Sequence, residues 1–402
     1  DKTIQNKIIP RLKKIDPTRP WELVDFTEDH PYIYSLGPFL NEKKFGYARS
    51  IFEFNKRKAP AMISEYLWWW LDEKSRPTFL TEMVIERWLG IKNPSRQRLL
   101  QHQTFLAAEL TELWRRLDID AIMPFVYLST SRGATANWFS GSLKLLKPKP
   151  ILGTLKNAFS PIGLSLEIWD RHFLTREHRE FTVYLFNDTS QVQKVNFELR
   201  WRDQQRKLYS QKNLLLAPHQ HLKKKIRVIF NGKPRQTDLV GIVYSHGNSQ
   251  FAMSKKPVII FHQPSIPTRD KISALCLHDI NPEQEIRKFL TKHRFPITIF
   301  PENLENSKIL FVNAGSLDKI FNHNLRNITN FVKKGGILIL QEPEYKINKE
   351  ADIPIVYGIE VIIQYRMDQD EGGYDSYIFP KHLNHPLWKN LKVNYLKMFN
   401  GG

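Results

Sequence analysis

The sequence predicts a multidomain chain of α/β plus all-β class, and three observations predict it. Over residues 1–160, apolar strand-like runs alternate with helix-period runs, the rhythm of βα units in a parallel sheet or barrel. Over residues 161–263, short strand-like runs recur about every dozen residues with no helix between them, as in a β-sandwich of immunoglobulin-like size. Over residues 264–402, strands and a helix alternate again, as in a small doubly wound α/β domain. A length of 402 residues allows two or three domains at roughly 150 residues each.

In the first segment, residues 21–26 and 31–36 read as short strands and 45–58 as a helix. Pro60-Ala61-Met62-Ile63-Ser64-Glu65-Tyr66 reads as a buried strand ending at a carboxylate. Residues 98–117 form a long helix, because Phe105, Leu106, Leu110, Leu113, Trp114 and Leu117 fall at helical spacing. Residues 121–127 are another buried strand, and 151–159 a short helix stopped at Ser160-Pro161. The sandwich strands fall at 164–169, 181–186, 195–201, 214–217, 225–230 and 239–245, several separated by turn residues such as Asn187-Asp188. Pro264-Ser265-Ile266-Pro267 reads as a linker. Beyond it, residues 297–300, 309–312 and 337–340 read as strands, and 325–334 as a helix stopped by Gly335-Gly336.

Composition narrows the class of function. Hydrophobic content of 41 % and charged content of 25 % are those of a globular chain, not a disordered one. A single cysteine excludes a disulfide framework and a cysteine-rich metal site. No apolar run approaches the roughly 18–20 residues that span a bilayer. The net charge of +19 is scattered. Its one dense run, Lys223-Lys224-Lys225 with Arg227, has no interleaved aromatics and reads as a solvated strand edge, so no nucleic-acid partner is expected. Asp1-Lys2-Thr3-Ile4 shows neither an initiator Met nor a signal-peptide pattern, and the chain reads as a window onto a longer protein.

Glu65 is the leading candidate for chemistry. It ends an apolar strand and is followed by Tyr66 and then Trp68-Trp69-Trp70. The C-terminal strand ends of a barrel form its active face. A carboxylate walled by aromatic rings there suits sugar chemistry, since rings stack on pyranose faces and the carboxylate meets an oxocarbenium-like centre. The alternative is that Glu65 forms a structural ion pair and the tryptophans are core. Glu109 and Glu112, at i and i+3 beside Arg115 and Arg116, read as a solvated salt-bridged face.

Ile63-Ser64-Glu65-Tyr66 resembles the nucleophile strand of glycoside hydrolase family 2, the β-galactosidase and β-glucuronidase family. Asp16-Pro17-Thr18-Arg19-Pro20, Met123 to Tyr127 with Asn137-Trp138, and Lys147-Pro148-Lys149-Pro150 resemble further pieces of that barrel. The resemblance implies that residues 1–160 are the second half of a partial (β/α)8 TIM barrel. It implies that Glu65 is the nucleophile of a retaining glycosidase, that Trp138 lines the sugar subsite, and that Tyr32 or Tyr34 hydrogen-bonds the nucleophile. Tyr66 and Trp68 of the aromatic wall, Asn137 beside Trp138, and His30 just ahead of a strand are expected as further sugar contacts. The family's acid/base belongs to an Asn-Glu pair ahead of Asp16. Asn41-Glu42 comes too late in the chain to be that pair, because strands four to seven need three βα units. The acid/base is therefore expected upstream of Asp1.

Residues 161–263 resemble the immunoglobulin-like sandwich that follows such barrels, through residues 181–188. Residues 264–402 resemble a class I glutamine-amidotransferase-like, flavodoxin-like fold, through Phe331 to Leu340. Cys276 lies without the glycine elbow of that family, and His278 nearby assembles no triad, so this domain reads as an inactive accessory copy. Asp368, Asp370 and Glu371 with Gly372-Gly373 read as a solvated turn. No metal or organic cofactor is implied. The expected partner is an oligosaccharide or glycoside, which implies a periplasmic or extracellular location. A non-catalytic carbohydrate-binding or scaffold protein is the alternative.

Overall fold

The computed structural model describes residues 2–21, 25–30, 60–89, 92–129, 135–136, 138–141, 144–168, 171–204, 207–230, 233–247, 249–262, 274–276, 297–299, 304–312, 322–340, 355–356, 359–360 and 384. The chain divides into two compact units, Asp1–Gln263 with Arg366–Gly402, and Pro264–Tyr365. Among the described residues, no helix is long and apolar enough to cross a membrane.

The first unit opens with a π-helical turn, Ile4–Ile8, running into α1 (Ile9–Ile15). Asp16 ends it and organises the next turn, accepting hydrogen bonds from the Thr18 amide, the Thr18 hydroxyl and Arg19. Of the strand expected at 21–26, residues 22–24 lie outside the described residues, and the two sides are joined through Trp21 and Asp25. The Asp25 carboxylate accepts the Trp21 amide at 2.8 Å while the Asp25 amide donates to the Trp21 carbonyl. Strand β1 is Thr27–Asp29. The strand expected at 31–36, the helix expected at 45–58 and Asn41-Glu42 lie outside the described residues.

β2 (Ala61–Tyr66) pairs parallel with β1 on one side and with β3 (Ala121–Pro124) on the other. The three strands lie in chain order, as neighbouring barrel strands do and as strands at a topological switch point do not. Between β2 and β3 run α2 (Phe79–Leu89) and α3 (Arg96–Arg116), the latter capped by the Ser95 hydroxyl on the Arg98 amide. The apolar face of α3, with Leu106, Leu110, Leu113 and Trp114 fully or almost fully buried, covers Ile63 and Tyr66 of the sheet. A two-residue hairpin pair, β4 (Phe139–Ser140) and β5 (Lys147–Pro148), leads into α4 (Pro150–Ala158). Pro150 starts that helix, where its missing N–H costs nothing.

The sandwich belongs to the same unit. Its strands are β6 (Ile162–Glu167), β7 (His172–Leu174), β8 (His178–Asn187), β9 (Gln193–Trp201), β10 (Lys207–Leu216), β11 (Gln220–Ile229), β12 (Arg235–Ser245) and β13 (Gln250–Phe261). One sheet has the order β10-β9-β12-β13-β7 and the other β11-β8-β6. Period-two alternation sends Val183, Leu185, Phe197, Leu199, Trp201 and Ile226 into a common core. On β11, an edge strand, Lys223, Lys225 and Arg227 face solvent, which keeps the edge from pairing further.

The outer face of α3 corrects the expectation for Glu109 and Glu112. Both are buried, at 2 % and 3 % exposure, because the sandwich covers that face. Glu109 pairs with Arg171 at 2.8 Å and with Lys256 of β13 at 2.7 Å. Glu112 pairs with Lys256 at 3.0 Å and accepts the hydroxyls of Ser165 and Ser254. Burial pushes the Glu109 carboxyl up, but Arg171 and Lys256 outweigh it and hold it below the usual carboxylate range. Beside this cluster, Arg115 donates to the Ala158 and Ser160 carbonyls and to Asp188, with its guanidinium 4.3 Å over the Phe186 ring. Gly163 is required there: a Cβ would stand 2.4 Å from Arg115 Nη1.

Among its described residues the second unit holds a sheet of four parallel strands, β14 (Ala274–Cys276), β15 (Ile297–Ile299), β16 (Ile309–Val312) and β17 (Ile337–Leu340). Their order is β15-β14-β16-β17, so the chain reverses direction across β14 in the manner of doubly wound sheets. Between β16 and β17 lies α5 (Asn322–Lys333), closed by Gly335 at φ +90°. His278, Asp368, Asp370 and Glu371 lie outside the described residues.

Candidate active site

The site is built at the C-terminal end of β2. Between Ile63 and Tyr66, two residues of β2, Ser64 and Glu65, oppose one of β3, Met123, a β-bulge that inserts one extra residue. The insertion lets Ile63 and Tyr66 both enter the core beneath the helices, at 0 % exposure, although strict alternation would part them. Glu65 remains partly exposed at the strand end. The Tyr66 hydroxyl is 2.8 Å from Thr111 of α3 and its ring meets Trp114 edge-on. Burial holds its phenol well above the usual range. Tyr66 is thus a core residue, not part of a sugar-facing wall.

The segment after Glu65 is held at nearly every peptide. Leu67 and Trp69 have φ of +86° and +143°, conformations that non-glycine residues adopt only when their surroundings enforce them. The enforcing contacts are explicit. Gln103 donates to the Trp69 carbonyl, and the Trp69 indole donates to the Leu99 carbonyl. The Trp70 amide donates to Thr81, and Thr78 returns a bond to the Trp70 carbonyl. The Lys149 ammonium, buried at 2 %, donates to the Leu71 carbonyl at 2.6 Å. Burial pushes Lys149 down to about 8, against the opposing pull of Asp72 and Glu73.

The aromatic groups divide into two sets. Trp68 is partly exposed and stacks on Trp70 at 5.4 Å. Trp70 in turn meets Phe125 edge-on and donates its indole N–H to the Phe125 carbonyl, tying the β2 turn to the end of β3. Trp138 is 6 % exposed and packs in the helix-covered core, with Tyr127 edge-on against it at 5.9 Å. Tyr127, 53 % exposed, is the ring presented to solvent at that corner.

Glu28 of β1 was not legible as a site residue. It accepts the Ser64 hydroxyl across the β1–β2 boundary and stands 3.3 Å from His30 Nδ1. A second carboxylate is thereby placed one strand away, joined to the residue before Glu65. Its only sequence signal is Thr27-Glu28-Asp29, a polar triplet without the β-branched run of a strand. Tyr32, Tyr34 and Asn137 lie outside the described residues.

No protein-family profile matches the chain, and no curated protein matches it. Solved structures do. A β-D-mannosidase from Dictyoglomus thermophilum is 13 % identical over 66 % of this chain and 36 % of its own, with a TM-score of 0.44. An exo-chitosanase from Amycolatopsis orientalis is 8 % identical over 44 % of this chain and 21 % of its own, with a TM-score of 0.29. A FixG-related protein from Vibrio parahaemolyticus is 20 % identical over 25 % of this chain and 96 % of its own, with a TM-score of 0.20. The likeness to glycoside hydrolases is weak and lies at the level of fold, and this chain spans 36 % of the mannosidase's length.

Proposed function

We propose that this chain carries the nucleophile half of a retaining glycosidase site, with Glu65 forming the glycosyl-enzyme intermediate. The observation that carries the reading is the bulge at Ser64-Glu65, which leaves a carboxylate partly exposed at the C-terminal end of a parallel strand. The strained Leu67–Leu71 segment, bonded at Trp69, Trp70 and Leu71, fits a site that must hold its shape. Trp68 offers a ring to a sugar face, with Tyr32, Tyr34 and Asn137 as further contacts on the sequence resemblance and His30 as a rim contact on its place in the chain. Trp138 acts from beneath, by positioning Tyr127. A retaining mechanism needs a second carboxyl about 5–5.5 Å from the first. It would come from chain preceding Asp1, as the resemblance to family 2 implies. The substrate class is a β-linked glycoside or oligosaccharide, and the location periplasmic or extracellular. The immunoglobulin-like and amidotransferase-like assignments rest on the sequence resemblance.

The test is trapping. The full-length protein is incubated with fluorosugar inactivators bearing a dinitrophenyl leaving group, in β-manno, β-gluco and β-galacto configurations. The activated leaving group removes the need for acid assistance. A peptide adduct on Glu65, lost in Glu65→Gln, is expected. Full turnover by Glu65→Gln overturns the reading. Saccharide binding without any adduct would favour a non-catalytic binding role.

A further inference from the structure

A cavity of about 700 Å³ lies away from Glu65, between α3, α4 and strands β12 and β13 of the sandwich. Its volume is within the roughly 300–1,000 Å³ typical of small-ligand sites. One wall contains Gly153, in the middle of α4. Glycine there weakens a helix by about 1 kcal/mol relative to alanine. No neighbour requires it, since a Cβ at Gly153 would meet nothing within 4 Å. The bare backbone instead leaves the cavity wall flat, where a ligand can approach closely.

The charges around the cavity do not cancel. Glu109 and Glu112 are neutralised by Arg171 and Lys256, and Asp238 is paired with Arg202 at 3.1 Å. Arg98 and Lys255 also line the cavity and have no acidic partner among the described residues. Two cationic groups therefore remain for an anionic ligand.

The remaining lining is that of a polyol site. The Thr104 hydroxyl donates to the Gln101 carbonyl and the Thr154 hydroxyl to the Pro150 carbonyl. Both oxygens keep lone pairs for a ligand's hydroxyl protons. The amides of Gln101 and Gln236 add donors and acceptors, and Phe105 supplies an apolar ring.

We propose that this cavity binds a carboxylate-bearing oligosaccharide, with Arg98 and Lys255 pairing with its uronate groups. Such a ligand also suits a chain of net charge +19. The site is separate from Glu65 and stands or falls without it.

Titration calorimetry of the whole chain with trigalacturonate at low salt tests the proposal, with its trimethyl ester as the uncharged control. Saturable binding is expected, weakened by about tenfold in the ester and in Arg98→Gln or Lys255→Gln. Gly153→Trp projects an indole into the cavity from its α4 wall and should weaken binding at least tenfold, while Gly153→Ala keeps it, and unchanged melting temperatures show both fold. Glu65→Gln should bind like the wild type. No saturable heat, equal binding of the ester, or wild-type binding by Gly153→Trp each overturns the proposal.

Discussion

Lys256 Nζ lies 2.7 Å from Glu109 Oε2, although the two residues are 147 positions apart in the chain and each side chain is at most 2 % exposed. The pair joins a helix of the barrel-like half to a strand of the sandwich. With Arg171 and Glu112 it makes a charge-balanced cluster of two acids and two bases. A balanced buried cluster contributes little net stability, but an unbalanced one is costly.

Arg171→Leu should therefore destabilise the first unit by about 3–5 kcal/mol, since it leaves Glu109 with one partner fewer in a dry setting. Adding Glu109→Leu should recover most of that loss, because Lys256 and Glu112 remain paired at 3.0 Å. Urea unfolding of the two single variants and the double variant measures the coupling. Purely additive losses would contradict the arrangement.

The second contact between the halves is pH-dependent. His221 of β11 reaches Asp188 through Nε2 at 3.4 Å and Asp118 through Nδ1 at 2.8 Å, with Arg115 also nearby and Phe186 packed edge-on. Its pKa is raised, chiefly by the hydrogen bond to half-buried Asp188, then against burial by Asp118, which is 80 % exposed and screened by water. A raised histidine contributes stability that is full below the unfolded value of about 6.5 and is lost as pH rises through the folded value. The melting temperature of His221→Gln should fall below wild type by a few degrees in acid and converge with it above neutrality. Melting curves across that window, compared variant against wild type, decide it.

Lys149 carries the opposite sign. Its folded value of about 8 is below the unfolded value of about 10.4, so between them the unfolded chain binds more protons. Stability should rise with pH across that window in the wild type, relative to Lys149→Met. At neutral pH the same variant trades relief of a buried charge against an unsatisfied Leu71 carbonyl, a loss of about 1–3 kcal/mol. Tryptophan fluorescence should report loosening of the Trp68–Trp70 stack. A flat difference across the alkaline window would show that Lys149 titrates normally.

Elements whose signal is local were legible in the sequence. The period of Leu106, Leu110 and Leu113 located α3, the alternation of Val195, Phe197 and Leu199 located β9, and the apolar run before Glu65 located β2. The misses share one cause, partners distant in the chain. Glu109 and Glu112 look solvated until Lys256 and Arg171 arrive from the sandwich. Glu28 looks like a loop residue until Ser64 pairs with it, 36 positions on. Lys149 drew attention only as part of a proline-flanked motif, while its bond to the Leu71 carbonyl spans 78 positions. The double bond between Trp21 and Asp25 was likewise not legible, because it is made by the Asp25 side chain and not by backbone preference alone.

The joint around Glu109 also decides where the polypeptide can be cut. Expressing either side of Ser160 alone, where the sequence places a domain boundary, would separate two carboxylates from Lys256 and Arg171 and Phe186 from Arg115. Protease nicking there should leave the two fragments associated. An expression clone meant to stay soluble should keep residues through Gln263 together.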